Sequence, residues 1–338
     1  MKVFSRRALG AGLGLLLAAT AVLPASAQDK DKVTVGILRL ASSGPVFIAL
    51  GQGYFADAGL DVELKFFDAA QPIAVAAASG DIDVGVTAIT AGMLNLAGKG
   101  VIKIVAGQSR EEPGYPLIAY LASKQAYENG LKTPKDLAGK TIGMTQVGSS
   151  FHYSMGLLAQ KEGFDLSQTH LTPLQSMSNI ASALKGGRIE AALLPATVAR
   201  PLIDSGDAVL LGWVGDETPW QLGAVFVNQA MLDRKDALTR FLEAYAKGAR
   251  DYHDDLLEGQ ADGVTPVNAE TRPLLEMISQ QTNQPVEKVA GGLAFIPADA
   301  SFSVADIDSQ IDWMRDEKFI SGDFGAKDVI VGEFGFAK

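Results

Sequence analysis

Short apolar runs alternate with helical stretches from residue 33 to residue 228. Val33-Thr34-Val35-Gly36-Ile37-Leu38, Val62 to Phe66, Ile82 to Val86 and Val101 to Ala106 have the length and β-branched content of strands. Pro45 to Ala58, Pro72 to Ser79 and Ala88 to Ala97 carry the wider spacing of helices. Strand–helix alternation of this kind builds parallel sheets covered by helices on both faces.

The same order recurs about 107 residues later. Val35-Gly36-Ile37 matches Ile142-Gly143-Met144, and Ser42-Ser43 matches Ser149-Ser150. Ile73-Ala74 matches Ile180-Ala181, Ala76 matches Ala183, and Thr90 matches Thr197. Gly80-x-Ile82-Asp83 matches Gly187-x-Ile189-Glu190. Each pair alone is weak. Falling at one offset and on the same element types, they predict two lobes of similar βα construction.

Open parallel sheets bind ligands beyond the carboxyl ends of their strands. Ser42-Ser43 and Ser149-Ser150 stand there, where a strand ends and a helix begins. Such a junction offers free backbone N–H groups, a hydroxyl and the positive end of a helix dipole. The expectation is that the two junctions clamp one small ligand from opposite lobes; the alternative is that the serines only cap their helices.

The chain crosses between lobes twice. Pro113-Gly114-Tyr115-Pro116 breaks structure before the strand Leu117 to Ala122, and Gly223 to Val227 is the predicted return, after Pro219-Trp220-Gln221. Two adjacent crossing strands would form a hinge. Residues 235–258, 270–282, 285–294 and 303–318 read as helices that pack back on the first lobe.

The first 27 residues read as an address. Lys2, Arg6 and Arg7 precede an uncharged apolar run from Leu9 to Leu23, and Ala25-Ser26-Ala27 is a small-residue cleavage signal, so Gln28 is the expected mature N-terminus. Ser5-Arg6-Arg7 leaves Sec and twin-arginine export open. No other stretch reaches 18 apolar residues. The chain has no cysteine, hence no lipid-anchored Cys beside the cleavage site, no disulfide and no thiolate chemistry. Residues 1–27 hold three basic residues and no acidic one, which leaves 26 basic against 39 acidic residues in the remainder, a net charge of −13. An acidic chain has no electrostatic footprint for nucleic acid.

His152 and Tyr153 follow the second serine pair within the first helical turn and are candidates to hydrogen-bond or stack on a ligand; Phe151 is expected to face the core. Trp213 and Trp220 flank the return crossing, and Trp220 is a candidate aromatic wall. Arg39 ends the first strand and Arg110 follows the Val101 to Ala106 strand beside Glu111 and Glu112; each could pair with an anion or stay solvated. Metal and enzyme signatures are absent: three histidines, no HExxH, no GxSxG and no GxxxxGK[ST]. No cofactor is implied, and no catalytic role is assigned.

Three strings carry a family resemblance. They are Gly51-x-Gly53-Tyr54-Phe55-x-x-x-Gly59-Leu60-Asp61-Val62, Ala78-Ser79-Gly80-Asp81-Ile82-Asp83-Val84-Gly85 and Asp136-Leu137-Ala138-Gly139-Lys140-Thr141-Ile142-Gly143. Over residues 33–230 the chain resembles the periplasmic binding proteins of the sulfonate, taurine, nitrate and pyrimidine-precursor type, the SsuA/THI5-like or NMT1-like family. The resemblance implies an α/β, two-lobed type II periplasmic-binding-protein fold. Each lobe would be a mainly parallel sheet covered by helices, with a two-strand hinge between them. The expected division is residues 1–27 signal, 28–116 first lobe, 117–222 second lobe and 223–338 return to the first lobe. The resemblance implies a monomeric periplasmic receptor that captures a small polar or anionic organic solute and hands it to an ABC permease and ATPase. A two-lobed sensor with a membrane signalling partner is the alternative. The family's ligand loops map onto Ser42, Ser43, Gln71, Pro72, Thr87, Thr90, Gln146, Ser149, Ser150, His152, Tyr153, Pro195 and Thr197. Leu194-Pro195-Ala196-Thr197 is less polar than the corresponding loop of many relatives.

Overall fold

Val33 to Leu38 forms the heart of the first strand, as its alternation predicts. A computed structural model describes residues 30–338 apart from Asp262, so the export segment expected at 1–27 lies outside the described residues. The strands are, in chain order, β1 (Asp31–Leu38), β2 (Leu60–Phe67), β3 (Val84–Ala88), β4 (Ile102–Gly107), β5 (Arg110–Glu111), β6 (Ile118–Ser123), β7 (Thr141–Met144), β8 (His170–Pro173), β9 (Ala191–Pro195), β10 (Ala208–Trp213), β11 (Trp220–Gln221) and β12 (Gly223–Asn228). The first sheet runs β2-β1-β3-β12-β4 and the second runs β8-β7-β9-β6-β10. In each sheet four strands run in one direction and one runs against them: β12 in the first, between β3 and β4, and β6 in the second, between β9 and β10. None of the described helices is long and apolar enough to cross a membrane.

The repeat holds in register as well as in order. Val35 sits opposite Val84 in the first lobe, and Ile142 opposite Ala191 in the second, each the earlier pair moved by the same offset. The Thr34 N–H donates to the Asp83 carboxylate at 2.8 Å, and the Thr141 N–H donates to Glu190 at 2.9 Å. The glycines recur for a packing reason. A Cβ on Gly36 would strike Ile82 Cδ1, and one on Gly143 would lie 2.5 Å from Ile189 Cδ1. Only a bare Cα lets the isoleucine cover its strand. Gly143→Ala should therefore overpack the second lobe and cost roughly 1 kcal/mol. Urea unfolding of the variant checks this, and an unchanged midpoint would contradict it.

Two expectations about elements change. Pro45 to Ala58 is not one helix: Gly44–Gly51 and Tyr54–Asp57 are separate, broken at Gly53, whose φ of +78° few residues but glycine adopt. The hinge is also shorter than predicted. The predicted crossing strands are β6 and β12, which belong to different sheets. The crossing itself is β5 against β11, with Glu111 opposite Trp220 and Arg110 opposite Gln221. The Pro113-Gly114-Tyr115-Pro116 turn, closed by the Tyr115 N–H on Glu112 O at 3.1 Å, comes after the first crossing rather than before it.

Most of the C-terminal part packs on the first lobe. The helix Lys235–Asp251 crosses Gly44–Gly51 so closely that a Cβ on Gly248 would hit the Pro45 carbonyl. The helix Val304–Asp316 does more, because it touches both lobes and the hinge. Trp313 lies on Gly156 of the second-lobe helix Ser150–Glu162. Asp306 accepts the Gln221 N–H at 2.9 Å, and Gln310 Nε2 donates to the Gln221 carbonyl at 2.9 Å.

Candidate functional site

The carboxyl ends of the parallel strands in both lobes face one cavity between the lobes. Each end is followed by a helix whose cap or first turn reaches the same space. From the first lobe come Ser42 and Ser43 before the helix Gly44–Gly51, Gln71 in the helix Ala70–Ser79, and Thr90 capping Ala91–Gly98. From the second lobe come Ser149 and Ser150 at the start of Ser150–Glu162, Met177 at the start of Met177–Lys185, and Pro195 before Ala196–Asp204. Orphan N–H groups and the positive ends of helix dipoles therefore converge there. Thr87 of β3 and Gln146 after β7 complete the predicted residues that line the cavity.

The lobes are together over this cavity. The Ala91 N–H, at a first-lobe helix start, donates across the cleft to the Gly148 carbonyl at 2.9 Å. Gly148 has a φ of +73°, and its own N–H donates to His152 Nδ1 at 3.1 Å.

The polar side chains are not equally available. The Ser43 hydroxyl donates to the Leu38 carbonyl at 2.8 Å, and Thr90 donates to Gln71 Oε1 at 2.6 Å while accepting the Met93 N–H. Ser149 Oγ accepts the His152 N–H at 3.4 Å, a cap. Thr87 Oγ1 is buried and has no hydrogen-bond partner among the described residues. The expected symmetry of the two serine pairs is thus broken at the side-chain level: Ser43 is tied to its own strand.

Five expected residues lie elsewhere. His152 and Tyr153 are buried against the bridging helix: the His152 ring lies 5.4 Å from Trp313 and 4.8 Å from Phe319, and Tyr153 lies 5.2 Å from Trp313 and 4.7 Å from Trp220. The helix face is the reverse of the one expected, since Phe151 lines the cavity and its two followers do not. Burial lowers the His152 pKa to about 4, so the ring is neutral and its Nδ1 serves as the acceptor that fixes the Gly148 turn. Trp220 belongs to the hinge strand, and Pro72 is exposed beyond the cavity. Thr197 is buried against Gly292 rather than in the cavity. Both arginines left open are engaged outside it: Arg39 lies 3.6 Å over the Phe66 ring and Arg110 stands 3.7 Å from Asp306.

Residues missed in the sequence also line the cavity, among them Leu38, Thr145, Met177 and Leu222. The signal for two of them was present. Thr145 is the repeat partner of Leu38, and Met177 that of Ala70, at the same offset that relates the serine pairs.

The comparisons with known proteins agree with this architecture. The profile of the family described as NMT1/THI5 like matches residues 41–255. The chain is 28% identical over 242 residues to the taurine-binding periplasmic protein of Escherichia coli (strain K12), covering 70% of this chain and 69% of that one. Its fold is similar to the alkanesulfonate-binding protein SsuA from Xanthomonas axonopodis pv. citri bound to MOPS, with a TM-score of 0.69 at 17% identity over 92% of this chain and 99% of the other. The periplasmic aliphatic sulphonate binding protein SsuA from Escherichia coli gives a TM-score of 0.68 at 14% identity, over 89% and 92% of the two chains.

Proposed function

The chain belongs to the NMT1/THI5-like family of substrate-binding proteins, and from that premise we propose that it is the periplasmic binding component of an ABC importer, taking a small organic solute into the cleft between its lobes and delivering it to the permease and ATPase. The observation that carries this reading is the convergence of helix starts from both lobes on one cavity, closed by a backbone hydrogen bond between Ala91 and Gly148. Capture needs a cleft that opens, and the two-residue crossing strands β5 and β11 are where the backbone can bend. Delivery by a free-floating monomer after removal of residues 1–27 completes the reading.

A thermal-shift screen of sulfonates, aromatic acids, pyrimidines and inorganic anions tests it. A ligand that binds only the folded state stabilises it by about 2.7 kcal/mol at a hundred-fold excess over its Kd. A melting temperature unmoved by the whole panel would contradict the reading.

The asymmetry of the serines makes a further prediction. Ser150→Ala should weaken binding of the tightest panel solute about three- to ten-fold with little change in stability, the effect of one lost hydrogen bond. Ser43→Ala removes a bond within the first lobe, so it should cost about 1 kcal/mol of stability. Calorimetric titration beside a urea melt separates the two. Equal effects of both variants on both quantities would contradict the assignment.

A further inference from the structure

The cavity between the lobes has no ionisable side chain in its wall. Among the described residues that line it, polar and apolar positions are nearly balanced, and none is Asp, Glu, Lys, Arg or His. The polar part consists of hydroxyls and amides; the apolar part includes Leu38, Val86, Ile118, Phe151 and Leu222. Arg39 and Asp68 line an adjoining surface groove that shares Leu38, Leu40 and Met177 with the cavity.

This wall discriminates by charge. Helix starts of eight residues or more converge on it from both lobes, and they stabilise an anionic group without a formal positive charge. They oppose a cation by the same field. An ammonium group entering here would be stripped of water and meet no carboxylate. A methyl group in its place would meet leucine, valine and isoleucine side chains.

A second observation points to the ligand independently of the helix ends. Thr87 is 2% exposed, lines the cavity, and its Oγ1 has no partner among the described residues. A buried hydroxyl left unpaired destabilises the protein that carries it. Its retention in the cleft wall is explained if the ligand supplies the partner.

Resting on the uptake reading above, we propose that this cavity selects a small organic anion with an apolar tail and rejects a zwitterion that carries an ammonium, with Thr87 donating its hydroxyl to the anionic head. The head can be a sulfonate or a carboxylate, which share the acceptor oxygens and the single negative charge. On this account the ligand class differs from taurine, the solute named for the Escherichia coli relative.

Calorimetric titration with propane-1-sulfonate and taurine tests the charge rule, because the two differ only by a methyl for an ammonium at the tail. Butyrate in a parallel titration distinguishes a carboxylate head from a sulfonate head, and butyramide removes the charge. Propane-1-sulfonate or butyrate should bind at least 100-fold more tightly than taurine, and butyramide should bind more weakly than butyrate. Taurine binding as tightly as propane-1-sulfonate overturns the proposal and leaves the uptake reading standing. Absence of binding by all four overturns the proposal, and the uptake reading falls with it only if the wider thermal-shift panel is also silent. Thr87→Val keeps the side-chain shape and removes the hydroxyl. It should weaken propane-1-sulfonate binding about ten-fold while raising the melting temperature of the ligand-free protein. Unchanged affinity with a raised melting temperature would remove Thr87 from the recognition of the head.

Discussion

Gly148→Val is expected to weaken binding of propane-1-sulfonate by roughly 10- to 100-fold while each lobe stays folded. Gly148 stands where the lobes meet, and its carbonyl accepts the Ala91 N–H from the other side at 2.9 Å. A Cβ added there would lie 2.9 Å from the Ala91 Cβ. A β-branched residue is also poorly suited to a φ of +73°. The backbone strain acts with the cleft open or closed, so it lowers stability. The collision with Ala91 exists only when the lobes meet, so it lowers affinity. Adding Ala91→Gly to the variant removes the opposing Cβ and should restore part of the binding. Wild-type affinity in Gly148→Val would contradict closure at this contact.

Glu111→Gln is expected to stabilise the protein at alkaline pH by about 2–3 kcal/mol and to have little effect near pH 4.5. Glu111 is fully buried on β5, and neither carboxyl oxygen has a hydrogen-bond partner among the described residues. Burial pushes its pKa well above the ordinary value of 4.5. The Ile118 and Gly215 N–H groups favour the ionised form but fall short of full hydrogen bonds, and nearby Asp216 opposes it. The folded protein therefore holds this proton to higher pH than the unfolded chain does. Stability linked to Glu111 is full below pH 4.5 and is lost as pH rises through the folded-state value. The glutamine variant cannot ionise and escapes that loss. Urea melts of both proteins between pH 4.5 and 8.5 give the comparison, and parallel pH profiles would contradict it.

The fold was legible in the sequence because its information is local and repeated. Gly36 and Gly143, Asp83 and Glu190, and the two serine pairs each report the same strand end, turn or helix start twice. Cavity residues at strand ends and helix starts were legible for the same reason, since topology alone places those positions in the cleft. The failures have two causes, packing by distant segments and elements too short to show a period. Which face of Ser150–Glu162 meets the cleft depends on Trp313, which arrives on a helix more than 150 residues later and covers His152 and Tyr153. Helical spacing could say which residues share a face, but not what packs on it. The hinge was misplaced by a few residues because β5 and β11 are two residues long, too short to show a period. Thr197 matches Thr90 in the repeat, yet it is buried against Gly292 of the C-terminal extension, which has no counterpart in the other half.

The central claim is that the solute is held between the lobes by the helix starts of both. The crystal structure of the protein grown with saturating propane-1-sulfonate tests this most directly. The account predicts closed lobes with the sulfonate against Thr87 and Ser150 and its alkyl tail on the apolar wall. A bound sulfonate at any other place, with the inter-lobe cavity holding none, would contradict it.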